Sequence, residues 1–197
     1  MKNMVISVMA LTALASFAQA QVGAESSAHL NFKGVPIDGT LREYTLKMEK
    51  KGFTLVDTED GASLLEGDFA SYKHCMIGVA TLKQKNLVSK ITVMFPESDT
   101  WSSLSSNYYS LQEMLTAKYG QPSGYVETFE GPAPGDDNSR MHEVKSDRCK
   151  YYTTYETEKG TIQLSIEHNG ASSCFVLLTY HDKINRDIIR AKAMDDL

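Results

Sequence analysis

Cysteine is scarce in this chain: three occur among 197 residues, Cys75, Cys149 and Cys174. Three thiols permit at most one disulfide, so no covalent framework holds the fold. Long apolar runs are also lacking. Beyond the opening residues, no stretch approaches the roughly 20 apolar residues that a membrane helix needs. Positive charge is in deficit, with 20 Lys and Arg against 25 Asp and Glu and a formal net charge of −5. Nucleic acid, which calls for a basic patch, is therefore not an expected partner. Catalytic signatures are missing as well. There is no Gly-x-Ser-x-Gly elbow. No two of His29, His74, His142, His168 and His181 have His-x-His or His-x-x-x-His spacing. The acidic stretches Asp57–Gly61 and Asp136–Asn138 lack the spacing and closing glutamate of a calcium loop. No metal, cofactor or catalytic residue is expected, and the chain does not read as an enzyme.

What is present begins with an address. Lys2 is followed by an apolar run from Met4 to Phe17 that closes on Ala18-Gln19-Ala20. This is the layout of a cleavable secretory signal peptide over residues 1–20, and the run is too short to span a bilayer. A periplasmic or secreted product starting at Gln21 is expected. No cysteine follows the cleavage site, so no lipid anchor is expected.

The mature chain reads as α+β: two similar units, each a helix packed on an antiparallel β-meander, plus a C-terminal helix. The first unit spans residues 21–97. Leu30 and Phe32 alternate into a turn at Gly34–Gly39. Thr40 and Glu43 have capping-box spacing, and Leu41, Tyr44 and Met48 share one helical face. Strands follow over Phe53–Asp57, Ser63–Phe69, Cys75–Leu82 and Leu87–Phe95, the last ended by Pro96. The second unit spans residues 98–182. Trp101, Leu104, Tyr108, Leu111 and Leu115 form a helical stripe stopped by Gly120 and Pro122. Strands are expected at Tyr125–Phe129, Tyr151–Thr157, Thr161–His168 and Cys174–Tyr180, with Asn169-Gly170 as a hairpin turn. Residues 128–148 look like a surface insertion with one helical turn near His142. The tail, residues 183–197, has Ile184, Ile188 and Ala191 at helical spacing.

Two sets of side chains stand out as candidates. The first is the cysteines. Cys149 and Cys174 fall at the same end of the second meander, two strands and about 10 Å apart, beyond the roughly 7 Å limit between bridged Cα atoms. Cys75 belongs to the other unit, and its pairing would clip the halves together. The sequence leaves the choice open, along with three plain buried thiols. His74 beside Cys75 suggests a dyad, but neighbours in a strand point to opposite faces. The second set is Tyr151, Tyr152 and Tyr155. Tyr151 and Tyr155 face one way and Tyr152 the other. One side must be core; the other is a candidate aromatic binding face. Cross-strand packing in a β-rich segment is the commoner explanation.

Leu30–Gly39 (LNFKGVPIDG), Lys118–Pro122 (KYGQP) and Tyr180–Asn185 (YHDKIN) together resemble a family of small secreted proteins from gut Gram-negative anaerobes. The resemblance covers nearly the whole mature chain, and that family carries no assigned activity, so it implies no site. The helix-plus-meander plan is also similar to the fold of β-lactamase-inhibitory proteins, though fold does not imply function. The reading that emerges is an exported, non-catalytic protein that binds another protein or a surface polymer through a sheet face. The alternative is an envelope hydrolase whose groups converge only in the fold.

Overall fold

The computed structural model describes residues 28–82, 86–170 and 172–195. The expected leader lies outside the described residues. The architecture is α+β. A short hairpin, β1 (Asn31–Phe32) and β2 (Val35–Pro36), leads into α1 (Leu41–Glu49). The capping box forms as its spacing requires: Glu43 N–H donates to Thr40 Oγ1 and Thr40 N–H donates to Glu43 Oε2. Four strands follow: β3 (Thr54–Glu59), β4 (Ala62–Phe69), β5 (Tyr72–Leu82) and β6 (Leu87–Met94). Then comes α2 (Trp101–Tyr119), capped by Thr100 and ended at Gly120. The last strands are β7 (Gly124–Phe129), β8 (Cys149–Thr157), β9 (Gly160–Asn169) and β10 (Ser173–Asp182), with α3 (Asp137–Lys145) between β7 and β8. The chain closes with α4 (Lys183–Asp195).

All eight long strands form one antiparallel sheet in the order β3-β4-β5-β6-β10-β9-β8-β7. Each half is a four-strand meander, and the two last strands, β6 and β10, meet at the centre. One face carries the core. Ile77, Val79, Ile91, Val93, Leu164 and Leu178 point there and are wholly or almost wholly buried. Tyr44 and Met48 of α1, Leu104 and Tyr108 of α2, and Met141 and Val144 of α3 pack against them in one continuous cluster. No described helix is long and apolar enough to cross a membrane.

The first and last described segments are tied to this sheet by buried polar groups. Asp182 ends β10 and caps α4, accepting from Asn185 N–H at 3.0 Å. Its carboxylate also accepts from Leu30 N–H at 2.8 Å and lies 3.0 Å from His29 Nδ1. Asn185 in turn donates to the carbonyls of Ile37 (3.1 Å) and Val88 (2.8 Å). Gly160 makes room for this junction. A Cβ there would run into the His181 carbonyl, so only glycine fits opposite the end of β10.

Most strand ends move by one or two residues from the sequence expectation, and two differences are larger. The single turn near His142 is a full helix, α3, capped by Asp136, whose Oδ1 accepts from Ser139 N–H at 2.9 Å. Strand β5 begins at Tyr72 rather than Cys75, because Ala70 (φ 50°) and Ser71 (φ 70°) make a two-residue hairpin turn. Both central residues need positive φ, which normally selects Asn-Gly, so Ala-Ser gave no signal.

Two measurements check this account. Asn185→Ala leaves two buried carbonyls unpaired and is expected to cost about 2–4 kcal/mol in chemical denaturation. Replacing Ala70-Ser71 by Asn-Gly relieves left-handed strain and is expected to gain about 1 kcal/mol with the near-native spectrum unchanged.

Candidate binding surface on the open sheet face

Alternation sends every second side chain away from the core. Along β10 the outward set is Phe175, Leu177, Thr179 and His181, so this strand is apolar on both faces at its middle. Cross-strand register then lines up a row. Met76 pairs with Met94, Met94 with Leu177, Leu177 with Ser165, Ser165 with Tyr152 and Tyr152 with Val126. The row crosses six adjacent strands at about 4.8 Å per strand. Its apolar members are all half-buried, accessible but flanked by neighbours. None of α1, α2 or α3 packs on this face, since their buried residues belong to the core cluster on the other side.

A second row, parallel to the first, is small and polar: Gly78, Thr92, Thr179, Gln163 and Thr154. Gly78 is a close-approach position, because Thr92 Oγ1 occupies the place a Cβ would take. A third row is charged. Lys90 pairs with His181, His181 with Thr161 and Thr161 with Glu156. Thr161 Oγ1 donates to Glu156 Oε2 at 2.9 Å, and Arg186 of α4 reaches Thr161 Oγ1 at 3.5 Å. The surface thus grades from apolar through hydroxyl and amide to ionic over three rows. Such a gradation suits non-covalent recognition, with an apolar centre and a polar rim.

The candidate tyrosines divide between the two faces. Tyr151 packs edge-on against Trp101, with centroids 5.1 Å apart, and against Phe129 at 5.8 Å. Tyr155 is 1% exposed, and its hydroxyl donates to the Gln112 carbonyl at 3.0 Å. Both belong to the core side. Tyr152 alone lies on the open face, in the apolar row. The open-face apolar side chains that sequence reasoning missed are Met76, Met94 and Leu177. The available signal was the unbroken apolar run Cys174–Leu178, which marks a strand with two apolar faces.

The three cysteines are free thiols. Cys75 and Cys174 are buried, and Cys149 is half-buried. Burial pushes the Cys75 thiol up to about 11 and that of Cys149 up to about 12, away from nucleophilic thiolate. Strand β9 separates β8 from β10, so Cys149 and Cys174 stand two strands apart. His74 is exposed beside Glu66, Nδ1 to Oε1 2.6 Å, while Cys75 points into the core. Among the described residues, no three His, Cys, Asp or Glu side chains converge as a metal-ligand set. The chain matches no known protein family, no curated protein and no solved structure.

Two histidines at opposite ends of the β9–β10 hairpin titrate in opposite directions. Burial, with Lys90 and Arg186 adding to it, lowers the pKa of His181. The unfolded imidazole takes its proton first, so His181 costs no stability above about pH 6.5 and erodes it as pH falls below that value. The Asp147 carboxylate, and then the Gly170 carbonyl, raise the pKa of His168. Its contribution is full below about pH 6.5 and is lost as pH rises through the folded-state value. His181→Gln is therefore expected to flatten the acid side of the stability–pH profile, and Asp147→Asn the neutral-to-alkaline side. Denaturation midpoints from about pH 5 to 8 read both.

Proposed function

We propose that this is an exported, non-catalytic protein that grips another protein or an envelope polymer on its open sheet face. The observation that carries the reading is the apolar row from Met76 to Val126, laid across six neighbouring strands with a hydroxyl-rich row beside it. Single exposed apolar side chains are ordinary on protein surfaces, but a contiguous band rimmed by polar groups marks an interaction site. The export reading rests on the leader pattern at residues 2–20.

The test is affinity capture from envelope extracts on the immobilised mature chain. The wild-type protein is expected to retain a specific partner. Met94→Glu, which places a charge in the middle of the row, is expected to reduce retention about tenfold or more. Circular dichroism of the variant should match the parent. Loss of the row without loss of capture, or no specific capture by the wild type, would overturn the reading.

A further inference from the structure

The sheet has two edges, and a helix stands over each, but the two edges differ. At the β7 edge the space under α2 is bridged by side chains. Tyr109 donates to Glu127 Oε2 at 3.1 Å, and Gln112 Nε2 lies 3.4 Å from Glu127 Oε1. At the β3 edge, among the described residues, no hydrogen bond links α1 to β3. A groove of about 490 Å³ runs there, walled by Leu41, Thr45 and Leu46 of α1, Leu55 and Thr58 of β3, and Ser63 of β4, against about 410 Å³ in the bridged and more polar hollow beside α2 at the β7 edge. Thr45 is 94% buried, yet among the described residues its Oγ1 has no hydrogen-bond partner. A buried hydroxyl left unpaired costs about 1–3 kcal/mol, so it stands as an unmet polar group in the groove wall.

Strand β3 itself is unusual. It is the outermost strand, so one side of its backbone has no neighbouring strand, and all six of its residues are exposed. Leu55, on the groove side, is 39% exposed, and Leu46 across from it is 48% exposed. The side chains of Asp57 and Glu59 point to the opposite face, where they line a shallow hollow with Leu64 and Gly78. A strand laid beside β3 would alternate in the same way. One set of its side chains would enter the apolar groove under α1, and the other would lie beside Asp57 and Glu59.

We propose that this edge binds an extended segment of a partner protein in which apolar and basic residues alternate, adding a ninth strand beside β3. The backbone of β3 supplies main-chain hydrogen bonds, the groove takes the apolar side chains, and the acids pair with the basic ones. A second copy of the chain is the wrong occupant on charge grounds. Two β3 edges would bring Asp57 and Glu59 of each copy together. The proposal uses a different surface from the open sheet face and stands or falls separately from it.

The probe is a fluorescein-labelled peptide of about ten residues alternating Val and Lys, titrated into the full mature chain by fluorescence polarisation. Saturable binding is expected, with Kd on the order of tens of micromolar. An alternating Val-Glu peptide and an alternating Ser-Lys peptide should each bind about tenfold more weakly or not at all. Leu46→Glu, at an exposed position, should weaken Val-Lys binding about tenfold without changing the denaturation midpoint. Met94→Glu and Tyr125→Ser should leave it unchanged. Backbone amide shifts should concentrate in Thr54–Glu59 and α1. No saturation by about 1 mM, equal binding of the Ser-Lys peptide, or shifts centred on β7 or the open face would overturn the proposal. So would a concentration-dependent homodimer in sedimentation that Leu46→Glu dissociates.

Discussion

The pairing of β6 with β10 is the constraint on which the rest depends. Five consecutive pairs, from Leu177–Met94 to His181–Lys90, join two four-strand meanders into one sheet. Side chains alternate with a period of two, so a slip of one residue would turn Val93 and Leu178 out of the core. It would also turn Met94 and Leu177 inward. The same register therefore specifies the buried cluster under the helices and the apolar row on the opposite face. Core and candidate surface are two readings of one set of backbone hydrogen bonds.

Much of this was legible in the residues. Helix limits followed from local chemistry: Thr40 with Glu43 at the start of α1, and Gly120 at the end of α2. Strands were marked by alternation and their ends by Pro96 and Asn169-Gly170. Where local signals were silent, the reading fell short. Ala70-Ser71 turns against its own preference because Phe69 and Tyr72 are held as a pair by strands on either side. The insertion after β7 folds as a helix because Met141 and Val144 find the core, and no short-range pattern reveals that destination.

The candidate surface was less legible than the fold, for a physical reason. Tyrosine draws the eye as an interface residue, yet Tyr151 and Tyr155 satisfy their hydroxyls or rings inside the core, and Trp101 and Gln112 supply the partners. The open-face row is built from methionine and leucine, which read as core in any sequence. Only the register across β5, β6 and β10 separates the outward members from the inward ones, and register is a property of pairing between distant segments.

The junction of Asp182 and Asn185 sets the order in which this molecule can be finished. These two residues hold Leu30 and Ile37, contacts that span 152 and 148 positions of the chain. Phe32 packs the amino-terminal hairpin against Phe53 and Phe69, but its buried polar anchors wait until almost the last residues are available. Contacts of such long range make folding slow, because loop closure must be paid for before they reward it. The polar lock on the amino-terminal hairpin therefore closes only once the end of β10 and the first turn of α4 are in place.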